Sequence, residues 1–536
     1  MDRFMLSGPA GDAGSKGLNA VLIFVVVAAS AVFPRLMVMG GLPATDEGFY
    51  AYQAQMIYQS LSSGHGLPDS GTLALYPMLV SWIFGLEVNA LIALRFIDLI
   101  IAVIAAVLLY RVLKHESKSR IGAALLTSIF IFAANQPIFI QYGFKNSITV
   151  AFVPLLYAVL IAQKNRPGSD ISWFAVGALT AVAVLLRETF LTFAVLGFIA
   201  VWMRAGRQAV YRFCIGGILI VAGVFLAVGT LRGGVWDLLA AYREGGTVYA
   251  TIASERYKHF IQSGTASAAQ AQIALILSAV ALGFLIIVAL LRRDSALIRR
   301  ALFWSAAASL PILEPATKIG FPYHFAVSLF GLAGLCALAW RHASNIRPVV
   351  GSTLLPGLIA LLIVVYQGPL YKDMSRLWPD SNRALSILTH QSWPQDLVAR
   401  SNYLTFADKI TQFIPDGGTV SVSGFMFTLY PLTGHLPPSP YLANLNATLF
   451  IQGMSADRLT DALKSCRPDI IVTTTRTDWP GADEIVTAVK NTGLYEKIAD
   501  VPVDTTLHYG TFGGSVYRLT AASDAQTPSE PCEQET

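Results

Sequence analysis

Long apolar runs broken by short polar loops fill the first two thirds of the chain. They fall at about 18–39, 90–113, 121–140, 147–163, 171–186, 188–203, 213–231, 271–291, 301–313, 322–340 and 349–366. A bilayer span needs about 20 apolar residues, fewer where a helix is broken or re-entrant. The pattern therefore predicts a polytopic α-helical membrane protein, with about 11 transmembrane helices over residues 1–366. A shorter piece, Leu73–Leu86, suits a helix lying in the membrane interface. After residue 366 the period changes. A helical pattern at 401–413 ends in Pro415-Asp416-Gly417-Gly418, a strand follows at 419–424, and helices at 455–465 and 482–492 alternate with strands at 468–475, 496–502 and 509–519. Residues 367–536 thus read as a small α/β domain.

The loops set an orientation. Every second one is basic: Lys114, Lys118 and Arg120; Lys164 and Arg166; Arg204, Arg207 and Arg212; Arg292, Arg293, Arg299 and Arg300; Arg341 and Arg347. The positive-inside rule makes these cytoplasmic, and Arg3 and Lys16 put the N-terminus on the same side. An odd number of spans then leaves 367–536 extracytoplasmic, which in a bacterium means periplasmic and tethered to the inner membrane. Two long segments, 40–89 and 232–270, become outer loops. The first run continues past the small residues Ala29-Ser30-Ala31, which makes it an anchor rather than a cleaved signal.

Composition fits this picture. The chain is 54% hydrophobic and 13% charged, where soluble domains run near a quarter charged. A net charge of +5 concentrated in short loops calls for no nucleic-acid partner. No GxGxxG or P-loop follows a strand, so nothing marks a nucleotide site. The four cysteines lack metal spacing; Cys466 and Cys532 permit a disulfide if the C-terminal part lies in an oxidising compartment.

Ionisable groups at membrane depth are costly and hence functional candidates. The runs 171–186 and 188–203 form a hairpin turning at Arg187-Glu188. Sixteen residues reach only about 24 Å against roughly 30 Å of hydrocarbon, so this turn should sit recessed. The short run 301–313 delivers Glu314 and Lys318 to a similar depth, and Lys145 caps the third span. Each could be a local ion pair or a snorkelling side chain. Several at one depth favour a polar cavity, and lone cations among apolar helices suit a lipid-borne phosphate. Tyr323 and His324, in FPYHFAV, begin a span beside that cavity, whereas His65 reads as an ordinary loop residue.

The first outer loop carries Asp46-Glu47-Gly48-Phe49-Tyr50 ahead of a helical pattern, YAYQAQMIYQSL. Acids there cap a helix, and Asp46 could also take a proton from an attacking hydroxyl. An Asp-Glu pair with a Tyr three residues on resembles the polyprenyl-phosphate-sugar-dependent glycosyltransferases of the GT-C superfamily. That group includes protein O-mannosyltransferases and the aminoarabinose transferases of lipid A. Tyr76-Pro77-Met78-Leu79 with Trp82 and Phe84-Gly85 is similar to the family's PLLYW…FG stretch, and Arg95 opens the next span like its RLPSAL helix. The resemblance covers roughly 18–340, and its motifs are short and degenerate.

The resemblance implies an inverting transfer on the outer face. A polyprenyl-phosphate sugar binds with its phosphate near Arg187, Lys318 or Lys145. Asp46 is the general base toward a glycan, lipid or protein acceptor, and Glu47 orients Asp46 or the acceptor. Glu188, Glu314, His324, Tyr323 and Asn146 line the cavity. Membrane lipids are the remaining partners, and lipopolysaccharide or another cell-envelope glycan is the expected product class. Asn146 stands where many relatives carry a second acid, which weakens any case for a metal; Glu314 and Glu244 could supply a further carboxylate after folding. No obligatory metal or cofactor is expected. A transporter or flippase of lipid-linked glycans, or a polymerase or ligase of them, would share the charged cavity. The paired broken repeats of many transporters are not seen in the sequence.

Overall fold

The protein is described from a computed structural model covering residues 12–37, 39–41, 45–64, 75–135, 147–164, 170–231, 234, 236, 266–312, 326–346, 383–390, 393, 395–396, 402–424, 426–450, 454–474, 481–504, 512–520 and 532. It is mostly helical, with one small sheet near the C-terminus.

The helical part runs α1 (Asp12–Leu36), α2 (Thr45–Ser62), α3 (Leu75–Val80), α4 (Ala90–Ser117), α5 (Arg120–Ala134), α6 (Ser147–Lys164), α7 (Asp170–Leu186), α8 (Leu191–Leu231), α9 (Ala266–Arg292), α10 (Ser295–Ser309) and α11 (Ser328–Ile346). Capping places several starts: the Asn89, Ser119 and Asp294 side chains accept from Ile92, Gly122 and Leu297 N–H respectively. Among the described residues, Ala90–Ser117 and Glu188–Leu231 are long and apolar enough to cross a membrane, while Arg120–Ala134, Asp170–Leu186 and Ile276–Arg292 are shorter apolar helices. The run at 349–366 lies outside the described residues.

Two of the expected runs, 188–203 and 213–231, are the two helical halves of α8. α8 breaks at Gly206, whose φ of 76° and ψ of −168° suit only glycine, and folds back on itself there. Its second half meets α7 at very close range. A Cβ on Gly177 would fall 1.9 Å from the Phe213 carbonyl oxygen, and one on Gly216 would fall 2.2 Å from that of Phe174. Small residues of this kind let helix backbones touch. The piece expected in the interface is α3 followed by a 3-10 turn, Ser81–Gly85. It buries Tyr76, Pro77, Val80 and Ile83 and exposes Leu79, Trp82 and Leu86.

The C-terminal part contains α12 (Ala384–His390), α13 (Asn402–Thr411), β1 (Val420–Val422), α14 (Leu429–Thr433), α15 (Leu445–Phe450), α16 (Ala456–Cys466), β2 (Ile470–Thr474), α17 (Ala482–Asn491), β3 (Tyr495–Asp504) and β4 (Phe512–Leu519). The sheet order is β1-β2-β4-β3, parallel between β1 and β2 and antiparallel elsewhere. β2 reads IIVTT and is buried throughout, as a central strand covered on both faces must be. Ile471 and Tyr517 pack with Leu459, Leu463, Ile485 and Val489 of α16 and α17. Ile470, Val472 and Val516 point the other way. Cys466 and Cys532 are joined in a disulfide that ties the tail to the end of α16.

That second face is closed partly by α13 and partly by α2. Tyr52 and Met56 of α2 join Phe406, Ile410, Phe427 and Tyr430 in one apolar cluster with the sheet. Phe49 stacks edge-on to Phe427 with centroids 5.0 Å apart, and Tyr52 lies 4.6 Å from Tyr430. Phe49, Tyr52 and Met56 sit at i, i+3 and i+7, so they share one face of α2. Ala51 and Ala54, on another face, pack into the helical bundle with Tyr76 and Ile92. α2 is therefore wedged between the two parts of the molecule. At the crossing point there is room only for glycine: a Cβ on Gly48 would lie 2.1 Å from Thr428 Oγ1 and 2.4 Å from its backbone N.

Candidate active site

Arg95 and Glu47 meet at one end of the bundle, where α1 stops and α2 starts. Arg95, in the second turn of α4, is 3% exposed, and Glu47, in the first turn of α2, is 1% exposed. Arg95 Nε donates to Glu47 Oε1 and one terminal nitrogen to Oε2, both at 2.6 Å. Its other terminal nitrogen donates to the carbonyls of Met39 and Gly41, each at 2.8 Å. This is the bidentate fork geometry that only Arg supplies. One guanidinium thus holds the chain leaving α1 and the beginning of α2. Asp46 is the second residue of α2, adjacent to Glu47; its side chain lies outside the described residues.

One turn further along α4, on the same face, Asp98 is fully buried and forms an ion pair with Arg35. Arg35 also donates from Nε to Asn135 Oδ1 at 2.6 Å and from its remaining terminal nitrogen to Thr149 Oγ1 at 3.0 Å. That network joins the ends of α1, α5 and α6 to α4. Among the described residues Asp98 Oδ1 has no hydrogen-bond partner. The sequence reading singled out neither Arg35 nor Asp98. Each is an ionisable residue inside or at the edge of an apolar run, and that is the signal that marks it in the sequence.

Arg187 occupies the turn between α7 and α8. Helix α7 ends at Leu186, Arg187 is extended, and a 3-10 turn, Glu188–Phe190, leads into α8. Arg187 is 8% exposed, whereas Glu188 is exposed. Helix α3, which follows α2, also packs on α7. Lys145, Asn146, Glu314, Lys318, Tyr323, His324 and His65 lie outside the described residues. Among the described residues no group of three His, Cys, Asp or Glu side chains comes together to hold a metal.

The layer above α2 is apolar and tyrosine-rich. Burial pushes the hydroxyls of Tyr52 and Tyr430 well above their ordinary titration range. Tyr430 spends its proton on the Ala443 carbonyl at 2.7 Å, and Tyr52 hydrogen-bonds to Met56 sulfur at 3.2 Å. Neither hydroxyl is available as an acid near neutral pH, so both read as packing groups.

The far end of the bundle carries a separate polar cluster. Glu116 pairs with Arg300 and accepts from Gln163 Nε2 at 2.9 Å, while Arg212 pairs with Asp170. These contacts tie together loops that the sequence reads as cytoplasmic.

No protein-family model and no curated protein sequence matches the chain. Among solved structures it is similar to the oligosaccharyltransferase of Archaeoglobus fulgidus in the apo form, with a TM-score of 0.42 and 10% sequence identity over 85% of this chain and 69% of that one.

Proposed function

We propose that the chain is an inverting membrane glycosyltransferase of GT-C type. In this reading it moves a sugar from a polyprenyl-phosphate carrier to a hydroxyl acceptor at the extracytoplasmic face. The observation that carries the reading is the Arg95–Glu47 fork. It fixes the first turn of α2, and with it the backbone of Asp46, at the end of a bundle that also holds buried Arg187.

The chemistry follows from the residue types. Asp46 takes the proton of the acceptor hydroxyl as its oxygen bonds to the anomeric carbon. The bond from that carbon to the phosphate oxygen breaks, and its electron pair leaves on the polyprenyl phosphate. Arg187, with Lys318 and Lys145 as further candidates, stabilises that charge. Attack opposite the leaving group inverts the anomeric centre. Glu47 already gives both oxygens to Arg95, so its part is to position the turn rather than to move a proton. In this reading Glu188, Glu314, Tyr323, His324 and Asn146 shape the cavity, and no metal is required.

The test is Asp46→Asn in membranes supplied with a polyprenyl-phosphate sugar. Transfer should fall by about 100-fold or more, the usual share of a general base. Transfer at close to the wild-type rate would remove Asp46 from the mechanism. A wild-type chain that transfers nothing from any such donor would remove the enzyme class.

A further inference from the structure

The last turns of α2 and the C-terminal layer flank an open cleft that the proposed transfer step does not use. It holds about 490 Å³, inside the range of about 300–1,000 Å³ usual for small-molecule sites. One wall is the end of α2 and the turn just after it, with Gln59, Ser60 and Ser63; the other is the turn at 417–419 and the segment 434–438, with His435. Two hydrogen bonds brace it. Gln55 Nε2 donates to the Gly434 carbonyl at 3.0 Å across the domain boundary, and His435 Nδ1 lies 2.9 Å from the Gly418 carbonyl between the two loops.

The lining has a definite chemistry. Short hydroxyls and an amide offer both donors and acceptors, and Met56, Leu436, Pro437 and Pro438 add apolar faces. No Asp, Glu, Lys or Arg is among the described residues that line it. Such a surface matches an uncharged polyhydroxylated ligand, whose hydroxyls need paired partners and whose C–H faces need apolar cover. A peptide added as a strand is disfavoured. The sheet edge at β1 is already covered, since Val420 N–H donates to the Leu436 carbonyl at 3.0 Å.

We infer that this cleft is a saccharide subsite that takes an uncharged stretch of the acceptor glycan. It lies about 20 Å along α2 from Asp46, at 1.5 Å per residue. That is too far for the sugar being transferred and suited to acceptor residues some units away from the reacting hydroxyl. The assignment to the acceptor rests on the glycosyltransferase reading; the binding chemistry of the cleft does not.

Two measurements keep these apart. The full-length protein in detergent is mixed with uncharged tetrasaccharides of glucose, galactose, mannose and N-acetylglucosamine, and contact is read by saturation-transfer NMR. Ser63, exposed just after the end of α2, is changed to Trp to fill the cleft without disturbing the core. At least one tetrasaccharide should bind the wild type and bind S63W about tenfold more weakly, a loss of about 1.4 kcal/mol, with an unchanged melting midpoint. Binding to none of the four, or equal binding to both proteins, would overturn the subsite. Where transfer activity is measurable, S63W should raise the acceptor KM and leave kcat and the donor KM as they were. An unchanged acceptor KM would overturn the assignment to the acceptor.

Discussion

Arg95→Met tests the clamp at its centre. The side chain is 3% exposed and donates to both oxygens of Glu47 and to the Met39 and Gly41 carbonyls of the α1–α2 connection. Methionine keeps the apolar stem but leaves Glu47, itself 1% exposed, as a buried carboxylate without its counter-ion. Breaking a buried pair on one side costs about 3–5 kcal/mol, much of it the stranded charge. At roughly 2 °C per kcal/mol for a large cooperative unit, the thermal midpoint in detergent should drop by about 6–10 °C. Transfer should fall as well, since the turn bearing Asp46 loses its anchor. The double variant Glu47→Gln with Arg95→Met separates the two effects. Removing the stranded charge should recover about 1–3 kcal/mol of stability, the usual coupling of contacting charges, while transfer stays low because the turn is still unpinned. Arg95→Lys should fall between, having a charge but no fork. A midpoint within a degree or so of wild type for Arg95→Met, with transfer intact, would refute the view that this guanidinium holds α2. A double variant as unstable as the sum of the two single changes would show that the residues do not act as a pair.

Gly48→Val puts a branched side chain where Thr428 backbone and hydroxyl already lie; it should cost about 1–3 kcal/mol as overpacking and raise protease cleavage between α2 and the C-terminal layer, and unaltered cleavage would count against that contact. Replacing Cys466 by Ser releases a loop of 66 residues, which the chain-entropy relation sets at up to about 4 kcal/mol. Thiol alkylation of intact cells should find this pair blocked until reduced, and two free thiols would argue against an extracytoplasmic C-terminal part. The pH dependence on the alkaline side follows from Tyr52, Tyr430 and Tyr495, all raised by burial from a starting value of 10.0. Unfolded tyrosines release their protons first, so their contribution is complete below about pH 10 and declines above it, by up to about 1.4 kcal/mol per pH unit for each. Phenolate absorbance should therefore rise together with unfolding, and ionisation well before unfolding would contradict the burial.

Three residues of the proposed site are marked by residue order alone. Asp46 and Glu47 stand out because paired acids directly follow a long apolar run, and Arg187 because it interrupts one. Helix boundaries also follow local chemistry, as at Asn89, Ser119 and Asp294, whose side chains cap the helices they precede. The partner of Glu47 was not legible, because Arg95 stands 48 residues away and meets it only in the folded chain. Arg35 and Asp98 went unnoticed because each looks like a stray charge until the ends of α1, α5 and α6 converge on α4.

The sequence by itself determined the helical and α/β halves, since periodicity and loop signals are local and each segment carries its own. Arg187 at the α7–α8 turn belongs with these, because a charge between two short apolar runs marks the break in either order of assembly. What only the tertiary structure decided is the place of α2. Its residues 51–57 are buried on every side although Gln53 and Gln55 lie among them, so the order of polar and apolar residues does not reveal that this stretch has no outward face. Two surfaces remote in sequence had to close on it: α4 through Arg95, and a sheet layer through Phe427 and Tyr430. That enclosure makes the helix expected in the first outer loop the joint between the bundle and the C-terminal layer.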